Sequence, residues 1–409
     1  MSGNDIVVTG MGATTSLGGD VASTWDGLLA GRSGARNLDF DWIERFGLPV
    51  KFGAPLAVEP TEVLPRVEAR RLDRCEQVAM VAARQAWEDA KLDDAVDPDR
   101  LGVVIGTGIG GVLTLLGQDD LLETEGLRKV SPLTVPMLMP NGPAAHVGLA
   151  LKARAGVHAP VSACASGAEA LTWAWRMLRA GEADVVVAGG AEASIAAITM
   201  AGFAQARTLS TRNDDPQHAS RPWDVDRDGF VLGEGAGIMV LERAEYAEAR
   251  GAKVYARFAG GGTSSDGYHI TAPDPEGHGQ TRAITMALRN AGVDPKDVGH
   301  VNAHATSTPV GDVPETRVIR KAIGEHAVLT APKGSLGHTL GASGAIEAIA
   351  TVLSVREGVI PPTANLENLD PEVTLDVVSG SPRKMNLTAA VNDSFGFGGH
   401  NVALVFTAV

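Results

Sequence analysis

The chain is short of cysteine, of aromatic side chains and of basic charge, and each shortage excludes something. Cys75 and Cys164 are the only cysteines in 409 residues. They are too few and too differently placed for a disulfide framework, so a reducing cytoplasm is the expected compartment. No CxxC or HExxH spacing suggests zinc. Thirty-five basic residues against 49 acidic ones leave a net charge of −14, which argues against nucleic acid as a partner. Aromatics make up 4%, but 49 glycines and 44% hydrophobic residues point to tight turns and close helix packing rather than disorder. Long hydrophobic runs are missing as well. The most apolar stretch, Ala183 to Gly202, contains Asp184, Gly189, Gly190 and Glu192, and reads as a buried strand and its exit rather than a membrane span. Met1 to Asp5 runs straight into a predicted strand, leaving no room for a signal peptide.

Two further motifs are rejected on their own residues. No GxGxxG follows a strand with the acid that a dinucleotide fold requires, so no nicotinamide cofactor is expected. Asp224-Val-Asp-Arg-Asp-Gly229 begins like a calcium loop, but its twelfth residue is Gly235 where a bidentate Glu is needed. Glu234 falls one residue early and Pro222 interrupts the entering helix, so a turn rich in salt bridges is expected.

What is present centres on Cys164, in Ala159-Pro-Val-Ser-Ala-Cys-Ala-Ser-Gly-Ala168. The residues before it are extended. Those after it, through Glu169, Leu171, Trp175 and Leu178, have helical spacing. The sulfur therefore falls at a strand-to-helix turn, where exposed N–H groups and the helix dipole favour the thiolate. Two histidines lie in small-residue turns further on: His304 in Val301-Asn-Ala-His-Ala-Thr-Ser-Thr-Pro309, and His338 in Lys333-Gly-Ser-Leu-Gly-His-Thr-Leu-Gly-Ala-Ser-Gly344. Small neighbours let a ligand approach the backbone, and Cys with His is a recurring way to activate a nucleophile. Spacing alone leaves open whether they meet.

An internal duplication supplies the link. Ala86-Trp-Glu-Asp-Ala90 and Asp97-Pro-Asp-Arg-Leu-Gly-Val-Val-Ile-Gly-Thr107 read against Ala287-Leu-Arg-Asn-Ala291 and Asp294-Pro-Lys-Asp-Val-Gly-His-Val-Asn-Ala-His304. Later, Ala165-Ser-Gly-Ala168 reads against Ala342-Ser-Gly-Ala345. The same order in both halves predicts one compact body with a pseudo-two-fold axis. Residues 1–253 form the half carrying Cys164, and 254–409 the half carrying both histidines, joined near Ala252 to Ala256. Equivalent helix starts facing each other across that axis bring sulfur and imidazole together.

These residues carry a family resemblance over essentially the whole chain. Ile6-Val-Val-Thr-Gly-Met-Gly12, Ser162-Ala-Cys-Ala-Ser-Gly167, Asp184-Val-Val-Val-Ala-Gly-Gly-Ala-Glu192, Ser220-Arg-Pro-Trp-Asp-Val-Asp-Arg-Asp-Gly-Phe230, the two histidine motifs and Asn392-Asp-Ser-Phe-Gly-Phe-Gly-Gly-His-Asn401 resemble the elongating β-ketoacyl-acyl carrier protein synthases. These are type II condensing enzymes of the thiolase superfamily. The resemblance implies an α/β fold, a five-layered αβαβα sandwich of two like halves. It implies decarboxylative Claisen condensation of an acyl-enzyme with malonyl-acyl carrier protein in fatty acid biosynthesis. Neither metal nor organic cofactor is implied, since phosphopantetheine arrives on the carrier protein. A homodimer is expected.

Site roles follow from the same resemblance. Cys164 takes the acyl group, and its N–H with that of Phe397 forms an oxyanion hole. His304 and His338 stabilise the enolate. Lys333 orders the histidine site, with Glu347 as a candidate partner. Thr306 and Thr308 match the phosphopantetheine-binding threonines, and Thr271 is a weaker match. Ile109, Phe203 and Met137 match the apolar wall of the acyl pocket, where methionine adapts to several chain lengths. Phe397, on a glycine-rich turn with Gly337 expected opposite, suits a gate. Ala305 and His400 depart from the more frequent glycine and threonine.

The implied carrier protein is acidic, as this chain is, so a local basic patch is required. Arg66, Arg70, Arg71 and Arg74 fall at roughly helical spacing, with Arg128 and Lys129 as a smaller cluster. The alternative is a solvated face paired with Glu62, Glu68 and Asp73. Rival functions are weighed by residue. A type II polyketide ketosynthase shares the Cys-His-His chemistry and stays as the alternative. A degradative thiolase needs a second cysteine near the C-terminus, and Asn392 to Val409 has none. Initiating synthases carry asparagine in place of the second histidine. A non-catalytic partner subunit lacks the nucleophile.

Overall fold

A computed structural model of the chain describes residues 5–92 and 96–409; the reading of Met1 to Asn4 lies outside them. Ten strands form the body of one sheet. In the first half these are β1 (Ile6–Thr14), β2 (Leu101–Gly106), β3 (Gly156–His158), β4 (Val185–Glu192) and β5 (Gly235–Arg243). In the second they are β6 (Ala256–Ser265), β7 (Val298–Asn302), β8 (Val328–Thr330), β9 (Ala389–Gly396) and β10 (His400–Thr407). The order is β3-β2-β4-β5-β1 in one half and β8-β7-β9-β10-β6 in the other, with Asp376–Val377 added outside β8. Corresponding neighbours are parallel or antiparallel in the same pattern. The halves join edge to edge where Val7 and Val8 face Arg257 and Ala256. The duplication read from sequence is a duplication of topology.

Side-chain alternation explains the layering. Along β4, Val185, Val187 and Ala191 face one core while Val186 and Ala188 face another. Along β10, Val402, Leu404 and Phe406 join the middle core while Ala403 and Val405 join the outer one. A strand buried on both faces reads as a continuous apolar run, which is why the most apolar stretch of the chain, Ala183 to Gly202, holds β4 and its exit, as expected. Helices then cover both faces: α1 (Arg74–Ala90) outside the first half, α2 (Ser166–Arg179) in the middle, α3 (His278–Ala291) outside the second half and α4 (Ser343–Glu357) in the middle. The result is the five-layered sandwich.

Small residues let the layers close. An added Cβ at Gly10 would lie 2.2 Å from the Ala86 carbonyl oxygen, and one at Gly260 would lie 2.8 Å from that of Ala287. The repeated Ala-x-x-x-Ala of the sequence is thus the floor on which each half's glycine strand rests. The central pair is equally symmetric. A methyl at Gly167 would meet the Ala345 Cβ at 3.0 Å, and one at Gly344 the Ala168 Cβ at 2.8 Å. The helices α2 and α4 therefore cross start to start, as the repeat predicts.

Candidate active site

Cys164 sits in a single tight turn, Ala163–Ala165, that runs directly into α2. Ala163 holds φ at +50°, a left-handed conformation that alanine adopts at a cost of about 1–3 kcal/mol. Its counterpart before α4, Leu340, holds φ at +43°. Both strained residues line the same cavity as Cys164. The backbone N–H groups of Phe397 and of Cys164 itself both reach the Cys164 sulfur. That convergence requires Gly396, since a Cβ there would come within 2.5 Å of the Ser162 carbonyl oxygen. Two N–H donors converging beside one sulfur are the arrangement that an oxyanion hole calls for.

The expected thiolate is not what the environment favours. Burial pushes the Cys164 thiol up to about 12; Lys333 and the two N–H groups pull the other way, while Glu192 adds to the rise. Desolvation outweighs the helix start because the apolar walls leave the sulfur little water. Burial thus favours the neutral thiol of Cys164 over its thiolate.

His304 and His338 approach edge to face, with ring centroids 5.4 Å apart. Both are driven well below the ordinary histidine range, first by burial and then by the charge of Lys333, with His338 adding to the shift at His304. They are neutral imidazoles, able to donate one N–H each. The Nδ1 atom of His338 lies 3.0 Å from Ser343 Oγ, leaving Nε2 as its free ring nitrogen. Phe230 packs edge-on to His338 and Phe395 to His304, which fixes both ring planes.

Lys333 is fully buried, 1% exposed, and its Nζ donates to Glu347 Oε1 at 2.6 Å. Burial raises the Glu347 carboxyl to about 7, although Lys333 opposes the shift. This is the pair anticipated from sequence, and it is the cation that biases all three reactive groups.

One cavity of about 430 Å³ gathers Cys164, His304 and His338 with Thr306, Thr308, Thr271, Ile109, Phe203 and Phe397. Thr306 and Thr308 place their hydroxyls 3.1 Å apart. Phe203 packs edge-on to Phe230, so an aromatic wall leads from His338 toward Ile109. Phe397 is 37% exposed, and its turn is held at the rim by the Gly398 N–H donating to the Ile270 carbonyl at 2.6 Å.

Several expectations need correction. Met137 is not part of this cavity wall: it lies on the short helix Thr134–Leu138, whose backbone packs against Gly110 and Gly111. Gly337 faces Ala54 and Val231 rather than Phe397. The arginines do not share one helix. Arg66–Ala69 is a separate turn, and Asp73 starts α1 with a capping box to Glu76, which breaks the run. Arg74 turns inward, bound to Glu234 at 2.9 Å and Glu59 at 2.5 Å, so it is not a docking residue. Arg66, Arg70 and Arg71 remain exposed. Of the acids considered as their partners, Glu68 is taken by Arg84 and Asp73 by its cap and Thr114. Arg128 is exposed, and Lys129 pairs with Glu125 at 3.4 Å. The Asp224 turn is held by ion pairs as expected, Arg221 to Asp224 at 3.1 Å and Arg227 to Asp370 at 2.8 Å. His400 is exposed and lies outside the cavity lining.

Three supporting acids went unread. Glu192 is completely buried and accepts the N–H groups of Gly108 at 2.8 Å and Gly341 at 3.1 Å, tying the acyl wall of one half to the histidine loop of the other. Burial lifts it to about 7. An acid closing a strand as apolar as β4 was a signal available in the sequence. Glu315, on the helix Asp312–Ala322, and Asp393, on β9, both accept the His304 backbone N–H, at 2.6 and 2.8 Å. Only the fold brings them together.

A thiol beside two converging N–H groups and two neutral imidazoles, in a duplicated α/β sandwich, defines a condensing enzyme of the thiolase superfamily. The chain belongs to the beta-ketoacyl synthase family: residues 3–247 match its N-terminal domain and 255–367 its C-terminal domain. It is 51% identical over 403 residues to the 3-oxoacyl-acyl-carrier-protein synthase 2 of Mycobacterium bovis, covering 98% of this chain and 96% of the relative. A beta-ketoacyl synthase from Burkholderia phymatum superposes with a TM-score of 0.92 at 35% identity, over 99% of each chain. A type II polyketide ketosynthase solved with its acyl-carrier protein superposes at 0.90 with 30% identity, again over 99% of each chain.

Proposed function

We propose that the protein elongates acyl chains by two carbons through decarboxylative condensation with malonyl-acyl carrier protein, in fatty acid biosynthesis. The observation that carries this reading is the convergence of Cys164, its two oxyanion N–H donors and the neutral His304 and His338 in one cavity. The 51% identity to a 3-oxoacyl-acyl-carrier-protein synthase 2 supports it.

Each step has a residue. The Cys164 sulfur attacks the acyl thioester, the N–H groups of Cys164 and Phe397 take the developing oxyanion, and the carrier thiol leaves with a proton. Malonyl-carrier protein then enters with its arm along Thr306 and Thr308. As the bond to its carboxylate breaks and carbon dioxide departs, His304 and His338 donate to the enolate oxygen. Neutral imidazoles suit this task, because a hydrogen bond stabilises the enolate without protonating its carbon. The enolate attacks the acyl-cysteine carbonyl and expels the Cys164 thiolate, which takes a proton from solvent to restore the thiol. Release of carbon dioxide drives the bond formation, so the reading calls for no metal or organic cofactor beyond the arm that the substrate brings.

The partner is an acyl carrier protein, as in the solved polyketide complex. Its docking place is the exposed Arg66 and Arg70, around a hollow shared by Thr61 and Gln77, with the exposed Arg71 next in the chain. A homodimer completes the reading. Strand β3 ends the described sheet, with Val157, Val161 and Trp173 exposed beside it, a sheet edge and apolar patch of the kind a second copy covers. No helix among the described residues is long and apolar enough to cross a membrane. Incubation with acyl-carrier protein tests the function: intact mass spectrometry is expected to show one acyl adduct, mapped to Cys164. An unmodified chain, or an adduct on Cys75, would remove the enzyme reading.

A further inference from the structure

His304 is held from behind in an unusual way. Its single backbone N–H points at two carboxyl oxygens, Glu315 Oε1 at 2.6 Å and Asp393 Oδ1 at 2.8 Å. The neighbouring Ala305 N–H donates to Glu315 Oε2 at 2.8 Å. One N–H cannot neutralise two carboxylates, and among the described residues no ion pair reaches either of them: Lys333, whose charge acts on Asp393, is paired with Glu347. Asp393 is completely buried, and no N–H or hydroxyl among the described residues donates to its Oδ2, which leaves the Glu315 carboxyl as its side-chain partner. Two carboxylates so placed repel unless a proton lies between them.

We propose that Asp393 is a positioning residue for His304, forming with Glu315 an acid pair that shares one proton behind the His304 backbone. This deepens the functional reading above and rests on it, since it takes His304 as a donor in decarboxylation. Glu315 carries the proton and donates it to Asp393. Burial raises both carboxyls, most strongly Glu315, which the charges of Asp393 and Asp312 push further. The other charged groups facing the pair are Lys333, which lowers Asp393, and Glu347, which Asp393 raises in turn. With one shared proton the pair holds a single negative charge, and the His304 ring stays neutral. Loss of that proton sets two charges against each other at the peptide that carries the ring.

The same strand serves the other half of the site. From Asp393, β9 continues through Phe395, whose ring packs on His304 at 5.8 Å, to Gly396 and the Phe397 N–H of the oxyanion hole. Repulsion at Asp393 is therefore felt first at His304, while the Phe397 end is anchored separately by Gly398 and Ile270.

The test follows two half-reactions of the complete enzyme across neutral and alkaline pH: decarboxylation of malonyl-carrier protein and acylation of Cys164. Wild-type decarboxylation is expected to fall about tenfold per pH unit beyond the ionisation of the pair. Asp393→Asn is expected to slow decarboxylation several-fold at neutral pH and to abolish that alkaline limb, so that the variant overtakes the wild type at high pH. Glu315→Gln removes the same limb and serves if Asp393→Asn fails to fold. An identical alkaline limb in wild type and either folded variant overturns the proposal. Equal losses of acylation and decarboxylation at every pH also overturn it, since they mean a merely structural role. An enzyme that decarboxylates at no pH would instead overturn the function itself.

Discussion

The two helix starts at the centre of the molecule share a geometry and differ in chemistry. Before α2 the chain reads Ala163-Cys164-Ala165, and before α4 it reads Leu340-Gly341-Ala342. Ala163 and Leu340 are both left-handed, and both helices begin with Ser-Gly. Yet the first elbow offers a sulfur to the cavity. The second offers an N–H, that of Gly341, to the buried Glu192. One duplicated turn presents the sulfur to which the proposed function gives the acyl group, and the other braces the histidine loop. Strain kept at both positions shows that the turn itself is needed, whichever group it carries.

The sharpest way to break the comparison is to remove chemistry from the second half only. His338→Ala or His304→Ala is expected to cut malonyl decarboxylation by at least about 100-fold while Cys164 still accepts an acyl group. The two half-reactions, measured separately, check this. Equal loss of both would mean that the halves do not divide the labour.

A methyl group distinguishes the elbows next. At Gly341 a Cβ would lie 2.2 Å from the Gly108 nitrogen and 2.7 Å from the Thr107 carbonyl carbon, both backbone atoms that cannot step aside. Gly341→Ala is expected to cost about 3 kcal/mol. The equivalent Cys164→Ala keeps its Cβ and is expected to stay within about 1 kcal/mol of wild type. Denaturant unfolding of both variants compares them directly.

The buried acids, which both halves carry, and the buried histidines of the second half respond to pH with opposite signs. Glu192 and Glu347 are raised to about 7 and Glu76 to about 8, from ordinary values near 4.5. Their neutral forms fit the fold, so the stability they favour is lost as pH rises through those values. His304, His338 and His300 are lowered from near 6.5, so they cost stability only as pH falls below it. Above pH 6.5 the acids act alone. The melting temperature is therefore expected to fall from pH 6.5 to 8.5, and a flat or rising profile would contradict these assignments.

The smallest effect concerns the surface. Charge reversal at Arg70 and Arg71 is expected to raise the KM for carrier-bound substrate several-fold. The effect should fade as salt shortens the Debye length from about 10 Å at 0.1 M to about 3 Å at 1 M. A pantetheine substrate without the carrier should react unchanged. Equal losses with both substrates would place the arginines in the fold.

Much of this was legible in the sequence. The repeat gave the two halves, and the motifs gave Cys164, His304, His338 and the Lys333–Glu347 pair. What stayed hidden depends on energies or contacts that a linear pattern does not carry. Nothing about alanine or leucine marks Ala163 and Leu340 as left-handed. Helix dipole and burial act on Cys164 in opposite directions, and only the packed walls decide for burial. Asp73 looked like a neighbour of basic residues, but its capping box ends one helix register and starts another. Asp393 reads as one polar residue among several until β9 and the helix Asp312–Ala322 meet behind His304.

The central claim is that the first half supplies the acyl-accepting sulfur and the second the decarboxylation machinery. Decarboxylation of malonyl-carrier protein by Cys164→Ala tests it most directly. The account predicts that carbon dioxide release continues at a measurable rate while acyl transfer is abolished, because the histidines and Lys333 are untouched. A folded Cys164→Ala protein that releases no carbon dioxide would contradict it.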